Sequence, residues 1–167
     1  MKAIKTALAI FLFIVFGLFM VGFRMTPAPG TSSGNGNPAL ILLIGLIPLF
    51  LIITVLWWSW LRFYAIQAKM YLVAAVILIA HLAAAFFYRH HSLQAHRETI
   101  RQALLDRNSR IDEQYVESIT TGLSIHINNQ NFNVNTFFMF LSATLLAAIL
   151  FRLWDCWDKS DSQKQSQ

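Results

Sequence analysis

Apolar positions fall into four long blocks separated by polar stretches, and each block approaches the roughly 20 uncharged residues that a bilayer-crossing helix needs. They run from Thr6 to Phe23, Pro38 to Leu61, Met70 to Tyr88 and Phe137 to Leu153. At about 1.5 Å of rise per residue, each helix covers roughly 25–35 Å, enough for a hydrocarbon core of about 30 Å. The pattern predicts an all-α integral membrane protein with four transmembrane helices. Between and around them lie a short tail (1–5), a first loop (24–37), a tight turn (62–69), a long loop (89–136) and a C-terminal tail (154–167).

The two longer loops differ in kind. Residues 24–37 read RMTPAPGTSSGNGN, too dense in Pro, Gly, Ser and Asn to build a core, and so predict a flexible tether. In contrast, no Gly or Pro occurs between Pro48 and Gly122, so nothing punctuates the end of the third block, and its helix is expected to run on out of the membrane. Beyond it, Leu93, Ile100, Leu104, Ile111, Tyr115 and Ile119 recur at helical spacings. That leaves Arg97, Glu98, Arg101, Arg107, Asp112, Glu113 and Glu117 for other faces, as in an amphipathic helix. Ser109-Arg110-Ile111-Asp112 resembles a capping box, which divides the segment into helices over about Ser92 to Arg107 and Ile111 to Thr121, with Gly122 as the stop.

Leu123, Ile125 and Ile127 then alternate with polar residues, as do Phe132 and Val134, around Asn128-Asn129-Gln130-Asn131. A short β-hairpin fits this alternation, with an irregular Asn-rich connector as the alternative. A loop of this size is too small for a deep core of its own, so its apolar stripe needs cover from self-packing, the bilayer surface or another protein. Five arginines against five acids make it nearly neutral. That disfavours a strongly anionic membrane surface and favours self-packing or a protein partner.

Composition agrees with the pattern: 56% of residues are apolar and 13% charged, against roughly 45–50% and 25% in soluble domains, which argues against a soluble enzyme domain. The net charge of +5 comes from thirteen Lys and Arg spread over every polar segment without a basic face, so no nucleic-acid partner is expected. With the N-terminus inside, seven bases (Lys2, Lys5, Arg62, Lys69, Arg152, Lys159, Lys164) lie inside and six (Arg24, Arg89, Arg97, Arg101, Arg107, Arg110) outside. Because short segments dominate the positive-inside rule and long loops translocate largely regardless of charge, the expected topology is N-in, C-in. The expected location is a cell membrane, by default the bacterial plasma membrane, with 89–136 extracytoplasmic. The start of the chain also resembles a signal peptide. An uncleaved anchor is favoured because the apolar run is long for a signal and Thr26-Pro27-Ala28 is followed by Pro29. The single cysteine, Cys156, excludes an intramolecular disulfide and paired-thiol chemistry.

Trp57, Trp58 and Trp60 close the second block, and Trp154 and Trp157 close the fourth, so four spans place all five tryptophans at one interface whichever way the protein faces. Arg62 and Arg152 accompany them, as in an aromatic belt with snorkelling cations, or a docking surface. Deep within a span, His81 is the one strongly polar ionisable side chain, and intramembrane groups of this kind are functional candidates. Helix rise puts Ser142 and Thr144 of the fourth block at about its depth, together with the carbonyl of Ile44 that Pro48 leaves without a donor. The plainer reading is a neutral His acting as interhelical glue. Small residues at four-residue spacing, Ala80 with Ala84 and Ala143 with Ala147, are expected to let the third and fourth helices approach.

His90, His91, His96 and His126 lie around the long loop, but His91 and His96 are five apart and fall on different helix faces, so no metal site and no cofactor is expected. No catalytic residues are assigned, since no HExxH, GxSxG, CxxC or Walker motif occurs. The sequence thus points to a non-enzymatic accessory, regulatory or assembly component of the cell envelope. Its expected partners are the lipid bilayer and a membrane or extracytoplasmic protein, or further copies of itself. The alternative is a small transport or channel subunit, or an immunity or export factor, built around the His81 layer.

Overall fold

In hydrocarbon a backbone must satisfy its own N–H and C=O groups, and all four apolar blocks do so as helices in the computed structural model, which describes residues 1–31, 36–107 and 112–165, with side chains through Asp158. The elements are α1 (Lys2–Arg24), α2 (Leu40–Leu61), α3 (Ala68–Leu105), α4 (Glu113–Ile119), a 3₁₀ turn (Ile125–Ile127), α5 (Asn128–Asn131) and α6 (Val134–Gln165). Helices α1, α2, α3 and α6 are long and apolar enough to cross a membrane, which makes this a multi-pass membrane protein.

The spans do not close into a symmetric bundle. Helix α6 packs on both α2 and α3, α1 packs mainly on α2, and α1 and α3 flank α6 without a substantial interface between them. Two apolar cores result. One joins Leu8, Val15 and Phe19 of α1 to Leu46 and Ile53 of α2, and the other joins Tyr71 and Ala75 of α3 to Ile149 and Leu153 of α6. Because only 17–22% of each span's most apolar stretch is buried within the chain, most of the helical surface is left for lipid or for other proteins. The small-residue expectation is corrected in detail: Ala75 and Ala85 are the buried alanines of α3, whereas Ala80 and Ala84 are exposed.

The third helix does continue past its apolar block, reaching Leu105 in one run of 38 residues. That is about 57 Å of helix, nearly twice a hydrocarbon core, so roughly half of α3 stands outside as a stalk. Against it folds the small segment 112–133. Asp112 caps α4, its carboxylate accepting from the backbone N–H groups of Gln114 and Tyr115, while the other three residues of the expected capping box lie outside the described residues. Gly122 takes φ +64°, the left-handed conformation expected of a helix stop.

No strand occurs among the described residues, and this corrects the hairpin reading of 123–134. The alternating residues instead wind into the 3₁₀ turn and α5. Two strands this short would have had no sheet to pack on, whereas the helical turn buries Ile127 and Phe132 and turns the Asn128 side chain inward to a partner. Ile100 of the expected amphipathic stripe is buried, and in α4 the stripe shifts by one place, Val116 being buried and Tyr115 exposed. Phe132 plugs this segment into the membrane part, its ring edge-on to Phe19 at 5.7 Å. A Cβ added at Gly22 would collide with that ring, so α1 needs glycine there for the plug to seat.

Candidate functional site

Successive turns of the α3 stalk each hold the segment beside it. Arg89 donates to Asn131 Oδ1 (2.6 Å), Ser92 to Gln130 Oε1 (2.7 Å), and His96 Nε2 lies 2.8 Å from the carbonyl oxygen of His126. Positions 89, 92 and 96 are on one helix face, i, i+3 and i+7, so one stripe of α3 grips residues 126–131. The adjoining face holds α4, where Arg97 Nε donates to Thr120 Oγ1 (2.9 Å) and Arg101 forms a two-pronged pair with Glu113 (3.0 and 2.6 Å) while also meeting Glu98. The Arg101 guanidinium holds the Glu113 carboxyl below the usual carboxylate range. Farther out, Arg107 donates to the carbonyl of Gly30 (2.7 Å), tying the first loop to the stalk. That tie contrasts with the free tether read from the loop's composition.

A reciprocal amide pair locks the base of this module. Asn37 Nδ2 donates to Asn128 Oδ1 (2.8 Å) and to the carbonyl of Leu123 (2.8 Å), and Asn128 Nδ2 donates back to Asn37 Oδ1 (3.0 Å). Asn128 is completely buried, as is Thr120, whose hydroxyl donates to the Val116 carbonyl (2.7 Å). Burial, and secondarily the charge of His96, lowers the His126 pKa below the usual histidine value. Sequence reasoning assigned none of these amides a role. Asn37, Asn128 and Asn131 read as turn composition, and only the coincidence of Asn-rich stretches flanking three spans hinted at pairing.

At the opposite end Trp57, Trp58 and Trp60 meet partners, some of which the sequence did not name. Trp58 Nε1 donates to Asp155 Oδ2 (3.0 Å), which also accepts from Arg152 (2.8 Å). The Arg152 guanidinium lies over the Tyr71 ring (5.9 Å), Arg62 over Trp58 (5.0 Å) and Lys5 over Trp60 (5.7 Å). Trp57 and Trp60 stack at 5.2 Å. One layer therefore draws a cation, ring or carboxylate from each of the four long helices. The available signal was Arg152 and Asp155 at i, i+3, which places both on one face of α6. Trp154 and Trp157 are exposed, as interfacial anchors are.

Of the intramembrane candidates, the structure brings two together: Ser142 Oγ and His81 Nδ1 are 3.0 Å apart. Thr144 does not join them. It is fully buried and its hydroxyl donates to the Leu141 carbonyl one turn back (2.8 Å). His81 is exposed on the outer surface of α3, so the pair faces lipid or a neighbour and not the interior of the chain. Among the histidines near the stalk, the rings of His90 and His91 stand edge-on at 6.2 Å. No three His, Cys, Asp or Glu side chains converge among the described residues.

The fold and these contacts define a class: a four-span membrane protein carrying a helical stalk with a module clamped along it. No family model, curated protein or solved structure matches this chain.

Proposed function

We propose that the protein is a non-enzymatic accessory, regulatory or assembly component of the cell envelope, embedded N-in, C-in in a bacterial plasma membrane and acting through residues 89–136. The observation that carries this reading is the clamping of the 112–133 segment along the α3 stalk. A loop serving only as a connector needs no such series of directional contacts, whereas a surface presented to a partner gains from being held in one shape before binding. The outward face of α4, with Gln114, Tyr115 and Ser118, together with Glu117 exposed at its edge and Leu123 beside it, forms that surface. The largely unburied spans offer a second contact area within the bilayer.

The experiment is photo-crosslinking in native membranes from probes at Tyr115 and Glu117, paired with a deletion of 112–131. Discrete adducts with a membrane or extracytoplasmic protein, or with a second copy, that vanish on deletion support the reading. A lone monomer in every case overturns it. A second reading, a small transport or channel subunit or an immunity or export factor, draws on the His81–Ser142 pair at the surface of α3 and α6. Polar groups facing hydrocarbon are costly, so such a subunit would form its polar path between copies. Flux through reconstituted vesicles that disappears in His81→Leu distinguishes it.

A further inference from the structure

His81 lies within the apolar run of α3, about 10 Å of helix rise from Tyr88 at one end and about 16 Å from Met70 at the other. Its Nδ1 is 3.0 Å from Ser142 Oγ, while its Nε2 has no hydrogen-bond partner among the described residues. The residue is exposed. Lipid chains at that depth carry neither donor nor acceptor, so a ring nitrogen left against them is costly. His81 also stands on a continuous uncovered seam. Ile77, His81, Ala84, Tyr88, His91 and Ala95 alternate spacings of four and three, the repeat by which two helices mesh side by side, and all six are exposed. This seam runs about 27 Å, from the apolar run into the stalk. The contacts of α3 within the chain lie on its other sides. Tyr71, Ala75 and Ala85 meet α6, and Arg97 and Arg101, which hold α4, are roughly opposite the seam by helix rotation.

We propose that this seam is the interface between two copies of the chain, packed α3 against α3 about a two-fold axis along the membrane normal, with the two His81 rings hydrogen-bonded across the axis. The inference rests on the reading of the protein as one that works through protein contacts, and it gives the unburied spans a specific partner. Three observations select a second copy. Copies inserted in the same orientation carry His81 at the same depth, so a symmetric pair of α3 helices sets one Nε2 against the other. The pairing is also self-complementary, because a neutral imidazole has one donor and one acceptor nitrogen and the Ser142 hydroxyl can serve either. In one copy Ser142 donates to Nδ1 and Nε2–H donates across the axis; in the other Nδ1–H donates to Ser142 and Nε2 accepts. Finally, Ala84, one turn from His81 on the seam, lets the two backbones approach to about 8–10 Å, within reach of the two rings.

Oxidative crosslinking of single cysteines in native membranes, in the full chain carrying Cys156→Ser, tests this. Ala84→Cys and Tyr88→Cys should each give a disulfide-linked dimer, whereas Val76→Cys and Ile79→Cys, exposed on other sides of α3, should not. Energy transfer between labelled copies diluted in vesicles then measures the strength of the dimer. His81→Leu should weaken it about tenfold, as for one interhelical hydrogen bond in a membrane. His81→Gln, whose amide is again both donor and acceptor, should recover most of that loss. Crosslinking that is equal at all four positions, or absent at Ala84 and Tyr88, overturns the interface. Equal dimer strength in wild type and His81→Leu overturns the histidine contact. A photoreactive group at Ala84 that captures a different protein, or lipid alone, in place of a second copy identifies another occupant and overturns the proposal. In each of these cases adducts from Tyr115 would still stand, which separates failure here from failure of the functional reading.

Discussion

The two ends of the bundle are held by different chemistry. At the tryptophan end, indole rings, three cations and Asp155 form one layer fed directly by all four long helices, with its ion pair largely shielded: the Arg152 and Asp155 side chains are 12% and 25% exposed. At the stalk end, directional hydrogen bonds do the holding: arginine, serine and histidine side chains of the α3 extension and the Asn37 amide meet amides, hydroxyls and backbone carbonyls of two connecting segments. Rings and snorkelling cations tolerate sliding, since their attraction is broad and weakly directional. Amide pairs are directional and fail when one partner moves. The tryptophan end is thus built to tolerate movement, while the stalk end is built to hold one shape.

The largest test of that contrast removes the plug beneath the amides. Phe132→Ala should cost about 3–5 kcal/mol of local stability, as for other fully buried aromatic side chains, because the collision-free seat at Gly22 is left as a void. Amide hydrogen exchange should accelerate throughout 123–131 and leave the cores of α2 and α6 protected. Gly22→Val should give the same exchange map by expelling the ring. Acceleration spread evenly over all four spans would show that the two ends are not separable.

A smaller effect is expected at the other end. Arg152→Met alone leaves Asp155 with only the Trp58 indole as a direct partner, and Asp155→Leu alone strands a shielded guanidinium, so each should cost about 2 kcal/mol in denaturation from micelles. The double variant should recover most of that loss, since an apolar pair of similar volume replaces a desolvated ion pair at little cost. Additive losses would mean that the layer is held by its cations acting separately on the rings.

Acidification should loosen the stalk end further along the same scale. His126 is held below its usual value of 6.5, first by burial and then by His96, so the unfolded segment binds a proton more readily than the folded one. Its contribution is complete above about pH 6.5 and is lost as the pH falls through the lower native value. Glu113, lowered by Arg101, adds a second loss that begins below about pH 4.5. Protection factors in 123–131, with exchange corrected for its intrinsic pH dependence, should fall between about pH 7.5 and 5, and His126→Gln should flatten the profile. An unchanged slope in that variant would place the titrating group elsewhere.

What the sequence revealed followed the length scale of each interaction. Four apolar helices, their approximate limits and the continuation of α3 all arise from periodicity and from punctuation along one helix, and these were legible. The His81–Ser142 pairing was reachable from depth arithmetic, because both residues belong to helices whose ends the pattern had located. Thr144 was not separable from Ser142 this way, since two residues on a helix differ by about 200° in direction, and only packing decides which one meets α3. The amide network was illegible for a related reason. Asn37 and Asn128 are 91 positions apart and each has an ordinary local explanation as a turn residue, so nothing before folding marks them as partners. Alternation over 123–134 misled because a buried helical turn and a short strand both place every second or third residue inward.

The weakest contact of the stalk makes the finest test of the comparison. Arg101 grips Glu113 with two prongs and also meets Glu98, a geometry that looks strong, yet all three side chains lie at the surface, where water and salt compete for the same charges. If shape at the stalk end is set by buried amides, Arg101→Gln should change exchange in α4 by less than about fivefold at physiological salt, and raising the salt should erase the difference. Thr120→Val should do more, because it removes the buried acceptor of Arg97 while keeping the side-chain volume. The reverse ranking would mean that α4 is positioned by surface charge, and the face it presents would then vary with ionic strength.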